Sequence, residues 1–315
     1  MTRTGRPVRS GGAAPRSDNA YSHQIRAPNL SRSTRPGYRS ATVAPVVEGT
    51  EGPPSDDNRT PQPFEHGQLN SARVYDYLLG GKDNREIDRD MGNELLSSAP
   101  ELKTLAWFTR SFGIKAVQMA AEAGIRQFLD LGSGIPTSPN VHEVAREIAP
   151  AARVVYVDYD PVVHTHCDAL LAKPDGVTAL LGDVRHPLDI LDQLKNRTLI
   201  DFGEPVAITL ISVLHYVMDA EDPAGIIAAF RDQLAPGSYL AMTHGSLDSA
   251  PEILQVLAGT KGTSAQVEFR SAAQTEALFA GFELLEPGVV PVQQWLRSDL
   301  PDTRMIMLGA IGRKP

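Results

Sequence analysis

The residues of this chain best suited to hold a small ligand stand in two short runs. Phe128-Leu129-Asp130-Leu131-Gly132-Ser133-Gly134 leads an apolar stretch into an acidic residue and two glycines, and Val154-Val155-Tyr156-Val157-Asp158-Tyr159-Asp160-Pro161 ends a second apolar stretch on a carboxylate. A glycine turn between a strand and a helix lets a ligand approach the backbone, because no Cβ stands in the way. An acidic residue at the tip of the next strand, here Asp158, can accept hydrogen bonds from both hydroxyls of a ribose. Its distance from the glycines, roughly 25 residues, is near that of a nucleotide-binding βαβ unit.

Details of the loop select among nucleotides. A dinucleotide site places a third glycine where Thr137 stands, beside Pro136, so that a diphosphate can sit on the helix N-terminus. Asp130, two residues before Gly132, repels phosphate and suits a cation such as the ammonium of a methionine moiety. The loop therefore favours S-adenosylmethionine over NAD. Asp183, in Leu181-Gly182-Asp183-Val184-Arg185, is placed to accept from an adenine amino group, with Val184 offering its backbone amide. A lone strand-end Asp is more often a helix cap or loop residue than a ligand contact; three such features in the right order carry more weight.

Strands are needed to position these groups, and the sequence has a pattern for them. From about residue 120, short β-branched runs alternate with helical spacing, as in a mostly parallel sheet with helices on both faces. Strands are expected at 127–131, 153–157, 177–181, 207–212 and 239–243. Helices are expected at 141–148, with Ser138 as N-cap and Pro139 at the first helical position, at 161–171, and at 223–234, closed by Pro236-Gly237. A late helix at 275–280 and late strands at 282–285 and 305–310 suit an antiparallel edge.

With 315 residues, 42% hydrophobic and 22% charged, the chain can bury a substantial core. No apolar run approaches the ~18 residues that span a bilayer, and no secretory apolar block opens the chain, so a cytoplasmic location is expected. The single Cys167 excludes an intramolecular disulfide and a cysteine-built zinc site, and reads as a buried small residue. Residues 1–60 hold nine Arg, no Lys and five acidic residues, which leaves about −12 on the remainder of a chain whose net charge is −8. An acidic body argues against a broad nucleic-acid surface. Residues 1–62, rich in Arg, Ser, Gly and Pro, read as a disordered leader, 63–120 as a helical lid, and 121–315 as the binding core. The leader superficially matches a transit peptide or a basic nucleic-acid-binding arm, and reads more simply as a solvated extension.

One further stretch stands out: Ser71-Ala72-Arg73-Val74-Tyr75-Asp76-Tyr77-Leu78-Leu79-Gly80-Gly81-Lys82-Asp83-Asn84. Together with the two runs above and Ser212-Val213-Leu214-His215-Tyr216, it resembles the actinobacterial S-adenosyl methyltransferase family also known as DUF574, within the class I methyltransferases. The resemblance covers about residue 65 to the C-terminus. It implies a Rossmann-like fold, bound S-adenosylmethionine and a bacterial cytoplasmic setting in which a transit peptide has no place. It supplies no methyl acceptor; a small molecule is expected.

In that stretch Val74, Tyr75, Leu78 and Leu79 form an apolar stripe at helical spacing, which Gly80-Gly81 can end through positive φ. Asp83 or Asn84 is expected to cap a second helix with Ile87, Met91 and Leu95 on its face. The segment is expected to close over the cofactor, with Tyr75 beside it and Lys82 reaching its carboxylate.

Methyl transfer is an in-line displacement that needs alignment more than covalent help. His215, after the fourth strand, is a candidate general base titrating near neutral pH, and His244 is a second. An Asn-Pro-Pro-Tyr motif is absent there, which argues against methylation of nucleic-acid amino groups. His164 and His166 fall on different helix faces and His142-Glu143 are adjacent, so no metal is expected. Arg270, Trp295 and Arg297 are candidates to line an acceptor pocket. The candidate cofactor contacts are Tyr75, Gly80, Gly81, Lys82, Asp130, Gly132, Ser133, Gly134, Asp158, Tyr159, Asp183, Val184 and Ser212. A non-catalytic S-adenosylmethionine-binding regulator and, further off, an NAD-dependent oxidoreductase are the alternatives.

Overall fold

The structure, a computed structural model, describes residues 69–171, 175–197, 199–262, 266–297 and 299–315, so the expected leader at 1–62 lies outside the described residues. Five strands, β1 (Gln127–Leu131), β2 (Arg153–Asp158), β3 (Val177–Leu181), β4 (Ala207–Leu210) and β5 (Tyr239–Gly245), run parallel in the order β3-β2-β1-β4-β5. Two short strands, β6 (Glu283–Leu284) and β7 (Val290–Pro291), and the longer β8 (Met307–Arg313) complete the sheet; β8 is antiparallel to β5 and pairs with both short strands. The order reverses between β1 and β4, and that switch point is where an open α/β sheet leaves a crevice at the carboxyl ends of its strands.

Alternation along the strands supplies both faces. Leu129, Leu131, Val155, Val157, Ile208 and Leu210 pack against α6 (Pro187–Asn196) and α7 (Pro223–Arg231) through Ile190, Leu194, Ile227 and Phe230. On the opposite face Phe128, Val154, Tyr156 and Ala207 meet α3 (Leu102–Glu122), α4 (Val141–Ile148) and α5 (Pro161–Leu170). Burying each Leu, Ile or Val of this kind contributes about 1.5–3 kcal/mol, enough in number to fix the strand ends on which the loops stand. A third apolar cluster joins α1 (Ser71–Leu79), α3, α8 (Pro251–Ala258) and α10 (Val292–Leu296), with α2 (Glu86–Ser98) packed against it. Among the described residues no helix is long and apolar enough to cross a membrane.

Several boundaries differ from the sequence expectation for identifiable reasons. Strand β4 stops at Leu210, because Ser212 adopts a left-handed φ of 61° that a strand does not accommodate. Strand β5 runs on to Gly245, since β8 keeps pairing with it through Met307. The Ser138–Pro139 peptide is cis, and α4 starts at Val141 with Asn140, not Ser138, as N-cap; Glu143 accepts from the Asn140 N–H at 2.5 Å. Helix α7 ends at Arg231, and Gln233 and Leu234 donate three residues back, tightening the exit. Helix α2 begins after Arg85, whose N–H donates to Asp88 at 2.9 Å; Asp83 and Asn84 do not cap it, and Ile87 is exposed while Met91 and Leu95 pack inward. The late helix α9 (Ala272–Ala277) starts early because Ser271 caps it, accepting from Gln274 N. Helix α6 has no counterpart in the sequence expectation.

Candidate functional site

The turn after β1 is bonded to β2. The N–H groups of Gly132 and Ser133 both donate to the Val157 carbonyl, at 2.7 and 3.1 Å. Gly132 and Gly134 have φ of 72° and 63°, a left-handed backbone that favours glycine at both positions. A Cβ on Gly132 would lie 2.4 Å from Val213 Cγ2, whereas beside Gly134 there is open space. Gly134 N donates at 2.9 Å to Asp158 Oδ2, and Asp160 N donates at 3.0 Å to Oδ1. Asp158 is thus oriented with lone pairs remaining, and burial pushes it up to about 7.

Three cavities with shared lining residues lie beyond these strand ends. The first, with about 910 Å³ of open space, is lined by Gly132, Gly134, Asp158, Tyr159, Asp183, Val184 and Ser212 among others. Both Asp183 oxygens accept from the Arg185 guanidinium, at 2.6 to 3.0 Å, so an adenine amino group would share them with that cation. The strained Ser212 backbone is held by a bond from its N–H to Thr243 Oγ1 at 2.8 Å. The second cavity shares Tyr75, Gly134 and Ile211 with the first and adds Asp130, Ser133 and Arg110. Thr209 Oγ1 donates to Asp130 at 2.6 Å, while burial pushes that carboxyl up to about 6. Arg110 donates to the Pro139 carbonyl at 2.8 Å and to that of Thr137, yet its buried Nε has no partner.

The third cavity shares Ser71, Tyr75, Ser212 and Tyr216 with the first, and His215 lines this one. Titration near neutral pH is not what the surroundings of His215 produce. Burial, then the neighbouring His244 and Arg270, pull it down to about 3, so the ring is neutral at any working pH. His244 is similarly lowered to about 4 and is spoken for, its ring nitrogens 3.0 Å from the Gly245 carbonyl and 2.8 Å from Arg270 Nη1. Tyr75 lines all three cavities and donates its hydroxyl to the Ala106 carbonyl at 3.1 Å.

Gly80, Gly81 and Lys82 line none of these cavities, because they form a turn at the far end of α1. Nine residues of helix put that end about 12 Å from Ser71. Asp76 organises the turn, its carboxylate accepting from Asp83 N at 2.9 Å and Asn84 Nδ2 at 2.8 Å, and a Cβ on Gly81 would collide with it. Gly80, with φ of 84°, closes the helix as its left-handed C-cap. The acceptor-pocket candidates line none of the three cavities either. Arg270 is buried and clamps the Leu214–Asp219 segment, donating to the carbonyls of Leu214 and Val217 and to Asp219. Trp295 donates to the Gly309 carbonyl at 2.9 Å beside Phe112, and Arg297 is at the surface with Asp299. Cys167 is buried, its thiol pushed up to about 12.

The residues present fit S-adenosylmethionine. A buried carboxylate with free lone pairs suits a ribose, and a cavity holding Asp130 and an arginine with an orphaned Nε suits the two charges of an amino acid. Arg110 and Tyr216 escaped the sequence reading. Arg110 is the only arginine in α3, a polar outlier in a helix whose other inward residues are mostly apolar, and that was its one available signal.

The family model described as S-adenosyl methyltransferase matches residues 57–315. A candidate methyltransferase from Thermobifida fusca YX is 43% identical, with a TM-score of 0.73 over 78% of this chain and 95% of its own. A DUF574 family protein from Streptomyces avermitilis MA-4680 is 40% identical, with a TM-score of 0.75 over 79% of this chain and 98% of its own. Among curated proteins no relative matches. A reversing parallel sheet, a glycine turn facing a buried acidic residue, and these relatives agree: the chain belongs to the S-adenosyl methyltransferase family and is an S-adenosylmethionine-dependent methyltransferase.

Proposed function

We propose that the first cavity holds the nucleoside of S-adenosylmethionine, the second its amino-acid end, and that the methyl acceptor is a small molecule. The observation that carries this reading is the position of Tyr75, in the wall of all three cavities at once. A ligand spanning the first two passes that residue with its central atom toward the third. In this reading Asp158 accepts from the ribose hydroxyls and Val184 offers its amide to the adenine. Gly134 leaves room for the chain between them. Asp130 pairs with the ammonium, and Arg110, rather than Lys82, takes the carboxylate. Bound there, the cofactor supplies an electrophilic methyl group.

What the protein's own residues contribute is alignment and exclusion of water. Ser71, Tyr75 and Tyr216 stand where the first and third cavities adjoin, and Tyr75 is held there by the bond from its hydroxyl to the Ala106 carbonyl. Helix α1 covers the cleft as its roof. A small-molecule acceptor agrees with the acidic body. A cytoplasmic setting, where the donor is made, belongs to the same reading.

The test is binding and turnover with the whole chain. S-adenosylhomocysteine should bind, and Asp158→Ala should weaken it at least tenfold. Extract passed through a small-pore filter should support formation of S-adenosylhomocysteine from S-adenosylmethionine. Turnover only with the retained macromolecules would overturn the small-molecule assignment.

A further inference from the structure

The third cavity differs in character from the two beside it. Its walls come from the inward stripe of α1 (Val74, Leu78), from Leu105 of α3, from Leu257 of α8, and from Phe269 and Met307. Among the described residues no Asp, Glu, Lys or Arg lines it, although the other two each hold at least one carboxylate and an arginine. An ion placed there would lose its hydration without gaining a partner, which costs several kcal/mol or more. A neutral apolar body gains instead from the area it buries. One wall carries an unsatisfied polar side chain: His215 is 5% exposed, and its Nδ1 is sealed with no hydrogen-bond partner. With Nδ1 sealed, Nε2 is the nitrogen left for a ligand, and a hydrogen-bond acceptor placed there draws the proton to it.

We propose that this cavity is the acceptor site, and that it takes an uncharged, largely apolar molecule, ring-shaped or short-chained, bearing one hydroxyl or amine that meets His215 Nε2. The assignment rests on the reading that the adjoining cavities hold the cofactor: Ser71, Tyr75, Ser212 and Tyr216 line both the first and third cavities, so an acceptor there would meet the methyl carbon at their junction, the new bond to its oxygen or nitrogen forming as the sulfonium's S–C bond breaks to leave the neutral thioether, with the acceptor's proton released to water. His215 then positions the acceptor through a hydrogen bond. The Tyr216 ring, 4.5 Å away centre to centre, and the Phe269 ring, 6.1 Å away, hold the imidazole in place. Phosphorylated compounds, free amino acids and nucleic acids are excluded by the same lining.

Three probes of one shape test this by calorimetry at pH 7.5: 1-naphthol, naphthalene and the anion 1-naphthoate, each with and without saturating S-adenosylhomocysteine. The expected order is naphthol tightest, naphthalene about threefold to tenfold weaker for its missing hydrogen bond, and naphthoate weaker than naphthol by at least tenfold, all without competition from S-adenosylhomocysteine. His215→Phe should bring naphthol down to the level of naphthalene, leave S-adenosylhomocysteine affinity unchanged and leave the melting temperature equal or higher, since it removes an unsatisfied buried nitrogen. Leu257→Trp, at a half-buried position, should block naphthol at least tenfold while S-adenosylhomocysteine still binds. Naphthoate binding as well as naphthol, competition between naphthol and S-adenosylhomocysteine, or naphthol binding unmoved by Leu257→Trp would each overturn the proposal with the cofactor reading intact. If the wild-type chain binds no S-adenosylhomocysteine, the cofactor reading itself fails and the proposal falls with it.

Discussion

The side-chain amide of Asn70 donates to the carboxylate of Asp160, joining the residue that caps α1 to the residue that caps α5. Asn70 also accepts from Arg73 N at 3.0 Å and donates its own N–H to Asp88 at 3.0 Å, while Asp160 donates its N–H to Asp158. Helix α1, the proposed roof, is thereby connected through one acidic residue, Asp160, to Asp158, the group proposed to face the ribose. Replacing Asn70 with Ala removes the cap and the tie together. The expected loss is about 1–2 kcal/mol of stability, seen as a drop of several degrees in melting temperature, together with weaker S-adenosylhomocysteine binding. A variant that melts lower but binds normally would show that the roof is structural alone.

Asp158 and Asp130 make the free protein and the loaded protein respond oppositely to pH. Both carboxyls are raised by burial, to about 7 and about 6, above the ordinary value of 3.8. A raised folded-state pKa means that the neutral form stabilises the fold, fully below about pH 4, and that this contribution is lost as pH rises through 6 and 7. The melting temperature of the free chain should therefore fall between pH 5 and pH 8, and Asp158→Asn should flatten that slope. Ribose hydroxyls and an ammonium favour the ionised carboxylates, so S-adenosylhomocysteine affinity should rise over the same interval and level off above pH 7. Affinity independent of pH from 5 to 8 would remove both carboxylates from the site.

The contrast between Arg110 and Lys82 gives a sharper test of where the amino-acid end lies. Arg110 is half-buried in the cavity that also holds Asp130, with its Nε unpartnered, whereas Lys82 is exposed on the turn at the far end of α1. Arg110→Lys loses the planar fork and should weaken S-adenosylhomocysteine by about tenfold or more, while adenosine, which has no carboxylate, binds as before. Lys82→Ala should leave both affinities alone. The reverse result would return the carboxylate to the Gly80-Gly81-Lys82 turn.

How much of this was legible in the residues depended on whether the signal was local. Strands β1 and β3 and the order of elements follow from alternating apolar residues and turn chemistry, which neighbours in sequence report directly. The stretch from Ser71 to Asn84 was recognisable as a unit, but its inner logic was not. Which of its residues face the cleft depends on where Asp76 turns the chain, and that is a contact between a helix side chain and a later loop. Arg110 was hidden for a similar reason, since Asp130 and Gly134, which share its cavity, come from β1 and its turn, about 20 residues further along the chain. His215 was noticed by type and position, yet its protonation is set first by its burial and then by His244 and Arg270, all of which tertiary packing brings about. The third cavity, assembled from α1, α3, α8 and the approach to β8, had no sequence signature at all.

The two glycines of the turn should separate fold from function. At Gly132 a methyl group would meet Val213 Cγ2 at 2.4 Å in a backbone already at φ of 72°, so Gly132→Ala must move Val213 or the turn. The cost should be about 1–3 kcal/mol of stability, and cofactor binding should suffer through the displaced loop. At Gly134 the backbone is also left-handed, at φ of 63°, but no atom lies within 4 Å of the added carbon. The empty space there is the cleft itself. Gly134→Ala should therefore carry only the backbone cost of its left-handed conformation, about 1 kcal/mol, while S-adenosylhomocysteine affinity falls at least tenfold because the methyl group occupies the ligand's path. Thermal melts set beside calorimetric binding for the two variants decide this. If Gly134→Ala bound normally, the ligand would have to pass on the other side of the turn, and the division of the cleft into nucleoside and amino-acid cavities would be wrong.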